Sequence, residues 1–239
     1  MIEIRKINKA FGKENILNNV CLTINQGEVI SLVGSSGSGK TTLLKIIAGI
    51  EKQDSGEIFL NQNEISNWSL QKRHCIYLYQ EALLFPHLNV FENIAFGLRL
   101  QKMNSSIIDQ KVNQMLEFLG IENHAKKMSN QLSGGQKQRV SFGRAMVIEP
   151  KLLLLDEPFG ALDAQTRNNM QELFKSLVKK TNTTALFVTH DIKEAIKIGD
   201  SVGKISKGNL FQFNSIEQFI NDSESGVLEE INFWKKYQN

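Results

Sequence analysis

The chain has 239 residues, enough for one large domain or a domain carrying an inserted lobe. Its hydrophobic fraction of 41% and charged fraction of 22% are ordinary for a globular protein, and a net charge of +3 is too small to argue for nucleic-acid binding. No apolar run reaches the roughly 20 residues that span a bilayer, and Met1-Ile2-Glu3-Ile4-Arg5 has no signal-peptide character, so a protein on the cytosolic side is expected.

Residues 2–7 and 16–24 carry strand patterning, the second through the spacing of Leu17, Val20, Leu22 and Ile24. Between them Lys9-Ala10-Phe11-Gly12-Lys13 reads as a turn that carries an aromatic. A second turn at Asn25-Gln26-Gly27 feeds Val29-Ile30-Ser31-Leu32-Val33, a buried strand. Residues 34–41 are rich in glycine and serine, and an apolar-faced helix follows through Ala48. Asp54-Ser55-Gly56 turns into a short strand at 57–60, and Ile76-Tyr77-Leu78-Tyr79 is a buried strand ending at Gln80. The only cysteines, Cys21 and Cys75, fall in apolar strand-like runs, which predicts buried free thiols rather than a disulfide or a metal site.

From Gln80 to Pro150 the texture is helical. Val90 to Leu100 has apolar residues at helical spacing. Ser106-Ile107-Ile108-Asp109 resembles a capping start, with Ile108, Val112, Met115, Leu116 and Leu119 on one face and Gly120 as the stop. Gln136 to Ile148 reads as a further helix ended by Glu149-Pro150. The core then resumes with Leu152-Leu153-Leu154-Leu155-Asp156, a run expected of a central parallel strand covered on both faces. A helix over 163–180, a buried strand over 184–189, a short helix over 191–197 and a hairpin at Lys207-Gly208-Asn209 follow. An amphipathic tail starts at Ser215.

Three stretches carry chemistry. Gly34-Ser35-Ser36-Gly37-Ser38-Gly39-Lys40-Thr41 fits G-x-x-x-x-G-K-T between a buried strand and a helix that continues through Thr42, a context no flexible linker has. Its glycines allow backbone N–H groups to converge on phosphate oxygens, and the helix N-terminus adds its dipole. Lys40 can supply charge to the β- and γ-phosphates, and the Thr41 hydroxyl can ligate Mg²⁺. Asp156 leaves the end of a central strand beside that loop, placed to hold Mg²⁺, while Glu157 can polarise a water attacking the γ-phosphate. Leu132-Ser133-Gly134-Gly135-Gln136, directly before a helix, makes a second anion site.

Taken together and in order, these motifs resemble the ATP-binding subunits of ABC transporters over about residues 2–213. The resemblance implies an α/β P-loop NTPase core with a mostly parallel central sheet, an N-terminal antiparallel β subdomain and an inserted α-helical lobe. It divides one domain over 1–239 into a core (about 1–80 and 150–214), a lobe (81–149) and a helical tail (215–239). It implies that Phe11 stacks adenine and that residues 34–42 bind ATP. Gln80 touches Mg²⁺ or the lytic water, and His190 contacts the γ-phosphate and aligns Glu157. Ser133, Gly134, Gly135 and Gln136 close over ATP held by a second, head-to-tail subunit, with Asp163 communicating across that interface. Residues 80–91, with Phe85-Pro86-His87-Leu88, line the docking surface for membrane permease subunits on the cytoplasmic face. That wording and Glu157-Pro158-Phe159-Gly160-Ala161-Leu162-Asp163 resemble importer ATPases for polyamines, ferric iron, sulfate, molybdate and sugars, which implies a solute-binding protein as a further partner.

Many of those importer subunits continue into a sizeable C-terminal regulatory domain. Here only a short tail follows Phe213, so no such domain is expected. An exporter ATPase and a soluble cluster-assembly ATPase are the alternatives; a single signature argues against a tandem ribosome-type factor.

Overall fold

The computed structural model describes residues 1–229. The chain opens with a hairpin, β1 (Ile2–Phe11) and β2 (Glu14–Ile24), longer than the patterning indicates. Lys9, Ala10 and Phe11 stay in the ladder, paired with Leu17, Asn15 and Glu14, so the expected five-residue turn shrinks to Gly12-Lys13. Lys6 and Asn19 take positive φ (48° and 49°) at a bulge that shifts the register. Beyond it Val20, Leu22 and Ile24 point inward, which turns Cys21 out. Contrary to expectation, Cys21 is exposed and Cys75 is only half-buried; both are free thiols.

β3 (Val29–Val33) is wholly buried and leads through residues 34–39 into α1 (Lys40–Ala48). β4 (Ser55–Leu60) returns to pair with β1, β5 (Asn63–Glu64) extends that sheet, and β6 (Cys75–Leu78) ends two residues before Gln80. Then come α2 (Val90–Leu100), α3 (Ser105–Leu119) and α4 (Gly134–Met146). β7 (Leu152–Asp156), α5 (Ala164–Thr181), β8 (Thr184–Thr189) and α6 (Ile192–Ile198) follow, and β9 (Ser201–Ser206), β10 (Asn209–Phe213) and α7 (Ile216–Asn221) close the described chain.

The strands form an antiparallel sheet, β2-β1-β4-β5, and a six-stranded sheet, β10-β9-β3-β8-β7-β6. Among the described residues, only β10 of the larger sheet runs antiparallel to its neighbour. The fold is α/β. Alternation along β7 sends Leu152 and Leu154 into a core shared with α1 and the antiparallel sheet, and Leu153 and Leu155 into a core shared with α4 and α5. Both faces are covered, which is why the run needs no polar phase.

α2, α3 and α4 enclose a separate cluster built on Val90, Ile94, Leu98, Ile108, Val112, Leu116 and Val140. Side-chain caps set their starts. Asn104, not Ser106, caps α3 by accepting the Ser106 N–H, and Gly120 ends it at φ 61°. α4 begins two residues earlier than its apolar spacing suggests, because Ser133 is its N-cap and both glycines lie in its first turn. Beyond β10, Phe219 and Val227 pack with Phe213 on Val33, Ala195 and Val202. The remainder of the expected tail, 230–239, lies outside the described residues. Among the described residues no helix is long and apolar enough to cross a membrane.

Candidate active site

The loop between β3 and α1 is shaped by close approach. Gly39 sits at φ 103°, and a Cβ there would stand 2.8 Å from Leu17 Cδ2 and 2.9 Å from Ile16 O, so only glycine lets β2 lie across the loop. Gly34 is equally tight, with Ile205 O 2.5 Å from its would-be Cβ. Ser35, Ser36 and Gly37 are exposed, whereas Ser38 is buried and its hydroxyl has no hydrogen-bond partner. An orphaned buried hydroxyl ahead of a helix N-terminus suits a bound anion. Lys40 is 5% exposed; its ammonium donates to Gly34 O (2.7 Å) and Ser35 O (2.8 Å). Burial draws its pKa below the ordinary lysine value, against the pull of Glu157 and Asp156. Thr42, half-buried, is one residue on from Thr41 in the first turn of α1.

At the end of β7, both oxygens of Asp156 are engaged. Thr41 Oγ1 donates to Oδ1 (2.9 Å) and the Tyr77 phenol donates to Oδ2 (2.7 Å). Burial first, and then Asp156, push the Tyr77 phenol far above its ordinary value, so it remains a donor. A hydroxyl and a carboxylate in contact beside a phosphate-shaped loop are the hard oxygen donors Mg²⁺ takes. Glu157 adopts φ 47°, a left-handed conformation that costs a non-glycine residue about 1 kcal/mol. It thereby faces His190, whose Nδ1 lies 2.8 Å from Glu157 Oε2, while Asp156 faces Thr41. The Glu157 N–H donates to Val188 O (3.0 Å), and two residues on Phe159 is fully buried among Phe142, Phe174 and Phe187. That anchor holds the strained residue in place. Gln80 lies against Gly160, where a Cβ would meet its Nε2 at 3.0 Å.

Behind His190, the Thr189 hydroxyl donates to buried Glu194 and accepts from the Asp191 N–H (3.0 Å). Gln171 of α5 donates to the other Glu194 oxygen (2.9 Å). Burial raises the Glu194 pKa above the ordinary carboxylate value, its two hydrogen bonds opposing the shift.

The Ser133 segment forms a reciprocal cap. Ser133 Oγ accepts from the Gln136 N–H (3.3 Å), and Gln136 Oε1 accepts from the Ser133 N–H (3.0 Å). The first-turn N–H groups of Gly134 and Gly135 have no partner within the helix. Both glycines line a cleft of about 450 Å³ together with Asp163 and Thr166, and Thr166 packs so closely that a Cβ on Gly135 would stand 2.7 Å from its methyl. Asp163 caps α5 by accepting the Thr166 N–H (3.0 Å), and this bond holds its carboxyl below the usual range. None of residues 34–41, Asp156, Glu157 or His190 lines this cleft. The structure therefore gathers two groups: Lys40, Thr41, Asp156, Glu157 and His190 around the loop, and Ser133 to Gln136 with Asp163 around the cleft, while Gln80 is placed against Gly160, three residues beyond Glu157. Phe11 joins neither. It is 50% exposed at the end of β1, with Lys9 Nζ 4.9 Å from its ring centroid, so it is not a core residue.

Four residues outside every motif shape the site and the loop that follows Gln80. Tyr77 holds Asp156. Gln138 of α4 donates to Pro158 O (2.8 Å), next to Glu157. Asn93, 1% exposed, accepts from the Phe85 N–H (2.9 Å) and donates to Leu88 O (2.9 Å) and Asn89 O (3.0 Å), which shapes the loop after Gln80. Arg144 donates to Leu83 O (2.6 Å) and lies 4.9 Å from the Phe85 ring. A signal exists for Asn93 and Gln138, which are polar at buried helix positions where a donor must find an acceptor. The same loop leaves Leu83 54% and Tyr79 43% exposed.

The model of the family described as ABC transporter matches residues 17–160. The sulfate/thiosulfate import ATP-binding protein of Yersinia pestis is 44% identical over 221 residues, 91% of this chain and 61% of that protein. The spermidine/putrescine import ATP-binding protein of Haemophilus influenzae is 43% identical over 222 residues, 93% of this chain and 60% of its own length. The chain thus spans about three fifths of these relatives. A probable sulfate/thiosulfate import ATP-binding protein of Chlorella vulgaris, 43% identical, is matched over 92% of its length and 91% of this chain. Among solved structures, a dimeric ATP-binding cassette in a post-hydrolysis state with ADP and Pi superposes with a TM-score of 0.79 at 30% identity, covering 90% of this chain and 99% of that one. The cbiO1 protein of Clostridium perfringens, part of a cbiONQ transporter complex, gives 0.85 at 29% identity, covering 97% and 94%.

Proposed function

The chain belongs to the ABC transporter family, and on that premise we propose that it is the ATP-hydrolysing subunit that powers solute import through membrane partner subunits. The observation that carries the proposal is the Glu157–His190 contact at 2.8 Å, standing beside the Lys40 loop. A carboxylate held by an imidazole next to a phosphate-binding loop is suited to take a proton from an attacking water.

The remaining residues have roles around that step. Lys40 leaves the Gly34 and Ser35 carbonyls and turns its ammonium to the β- and γ-phosphates, while the backbone of Gly34, Ser35, Ser36, Gly37, Ser38 and Gly39, with Thr42, cradles them. Phe11 offers its ring to the adenine. Thr41, Asp156 and Gln80 hold Mg²⁺, which supplies positive charge against the phosphates. His190 keeps Glu157 aligned. Two copies pair head to tail, so that Ser133, Gly134, Gly135 and Gln136 of one close over the nucleotide on the loop of the other, with Asp163 at the seam. The separation of the two residue groups within one chain supports that pairing. The dimeric state of the ADP-bound neighbour supports it too.

Residues 1–80 and 150–214 serve as the nucleotide-binding core and 81–149 as the lobe, whose Gln80–Phe91 stretch docks permease subunits at the cytoplasmic face of the membrane. A solute-binding protein completes the assembly. The names of the curated relatives favour import over export or cluster assembly. Relatives named for sulfate/thiosulfate and for polyamines are similar to almost the same degree, 44% and 43%, in keeping with a solute chosen by the membrane partners.

The test is capture of tagged Glu157→Gln protein with ATP and Mg²⁺ from gently solubilised native membranes. Co-purification of a multi-span membrane protein is expected. Recovery with cytosolic partners alone overturns the transport reading.

A further inference from the structure

We propose that Tyr77 is a positioning residue for metal-dependent nucleotide binding, acting through Asp156. It fixes one oxygen of that carboxylate and leaves the other as the exchangeable one. The inference rests on the functional reading above and goes beyond it, because it assigns a part to a residue outside every motif that reading uses.

The placement follows from register. β6 and β7 run parallel, with Tyr77 beside Leu154. Leu154 and Asp156 share a face of β7, so a side chain long enough to pass Leu154 reaches the carboxylate two positions on. Tyrosine is long enough, and its hydroxyl arrives 2.7 Å from Asp156 Oδ2. The ring is held on the way, packed against the cluster that contains Leu154 and tilted 52° to the Tyr79 ring at a centroid distance of 4.7 Å. Phenylalanine or methionine would fill the same apolar space, so packing alone does not call for the phenol.

The two bonds on Asp156 are unequal. Oδ1 is held by the Thr41 hydroxyl, which is itself a candidate ligand and stands at the exposed mouth of the site. Thr41 and Oδ1 would serve as ligands to a bound cation, and their mutual bond would then be lost. The Tyr77 bond lies on the other oxygen, is part-buried, and would remain. It keeps the carboxylate from rotating when Thr41 lets go. Partners that orient a ligating carboxylate in this way typically change metal affinity by about 10- to 100-fold when removed.

The experiment measures the Mg²⁺ concentration at which binding of a fluorescent ATP analogue is half-maximal, in wild type, Tyr77→Phe, Asp156→Asn and the double variant. Circular dichroism establishes that each is folded. Tyr77→Phe is expected to raise that concentration about tenfold and to leave binding in EDTA within about twofold of wild type. In the Asp156→Asn background the same substitution should change neither quantity by more than about twofold. A Tyr77→Phe curve that overlays wild type overturns the inference. So does a tenfold loss that persists without metal or without the aspartate, since a merely structural role would give that. A wild-type protein whose ATP binding ignores Mg²⁺ would instead overturn the functional reading, and this inference with it.

Discussion

His190 Nδ1 lies 2.8 Å from Glu157 Oε2, joining the ends of the neighbouring strands β8 and β7 through their side chains. Glu157 reaches that position only by adopting φ 47°, and buried Phe159 keeps it there. Replacing Glu157 by Gln preserves shape and removes the base. ATP should still bind, while hydrolysis falls about 10²- to 10⁴-fold, the usual contribution of a general base. Single-turnover assays check this, and turnover within a few-fold of wild type would reassign the base.

Lys40→Ala tests the loop itself. A charged donor facing phosphate contributes about 1.5–3 kcal/mol, so ATP affinity measured by calorimetry should fall roughly 10- to 100-fold. Unchanged affinity would mean that the nucleotide sits elsewhere.

Asn93→Ala should be far more damaging than its peripheral position suggests. The side chain is buried and satisfies backbone groups at Phe85, Leu88 and Asn89. Removing it strands several of them, at a cost of about 2–4 kcal/mol in a urea titration. A loss below about 1 kcal/mol would show that the loop after Gln80 is held by other contacts.

Glu194 makes a pH prediction. Burial favours its neutral form in the folded chain, so between the ordinary value of 4.5 and the raised folded value the native state holds a proton that the unfolded state has released. That contribution to stability is complete below pH 4.5 and is lost as the pH rises through the folded value. Glu194→Gln removes the dependence. The variant should therefore gain on wild type in urea midpoint as the pH rises across this window, and parallel pH profiles would contradict the assignment.

Much of this architecture was readable before any coordinates, because period and punctuation are local. The unbroken run Leu152 to Leu155 announces a strand covered on both faces, and glycines between strand and helix announce the loop. What escaped depends on partners distant in sequence. The length of β1 depends on the residues opposite it in β2, and the outward turn of Cys21 depends on a bulge at Asn19. The Tyr77–Asp156 bond spans 79 positions and requires knowing that β6 lies beside β7. Apolar periodicity places the starts of α3 and α4 one or two residues late, because Asn104 and Ser133 act through side-chain oxygens, to which periodicity is blind.

One feature of the resting loop bears on which ligands it admits. The Lys40 ammonium is already bonded twice, to the carbonyls of Gly34 and Ser35. A newcomer must therefore compete with an internal occupant rather than fill a void. A phosphate group answers the ammonium with full negative charge where the two carbonyls offer only dipoles, and it engages the loop amides as well. The amine therefore changes partners rather than gaining them, and the two internal bonds it gives up are subtracted from whatever the phosphate contact contributes.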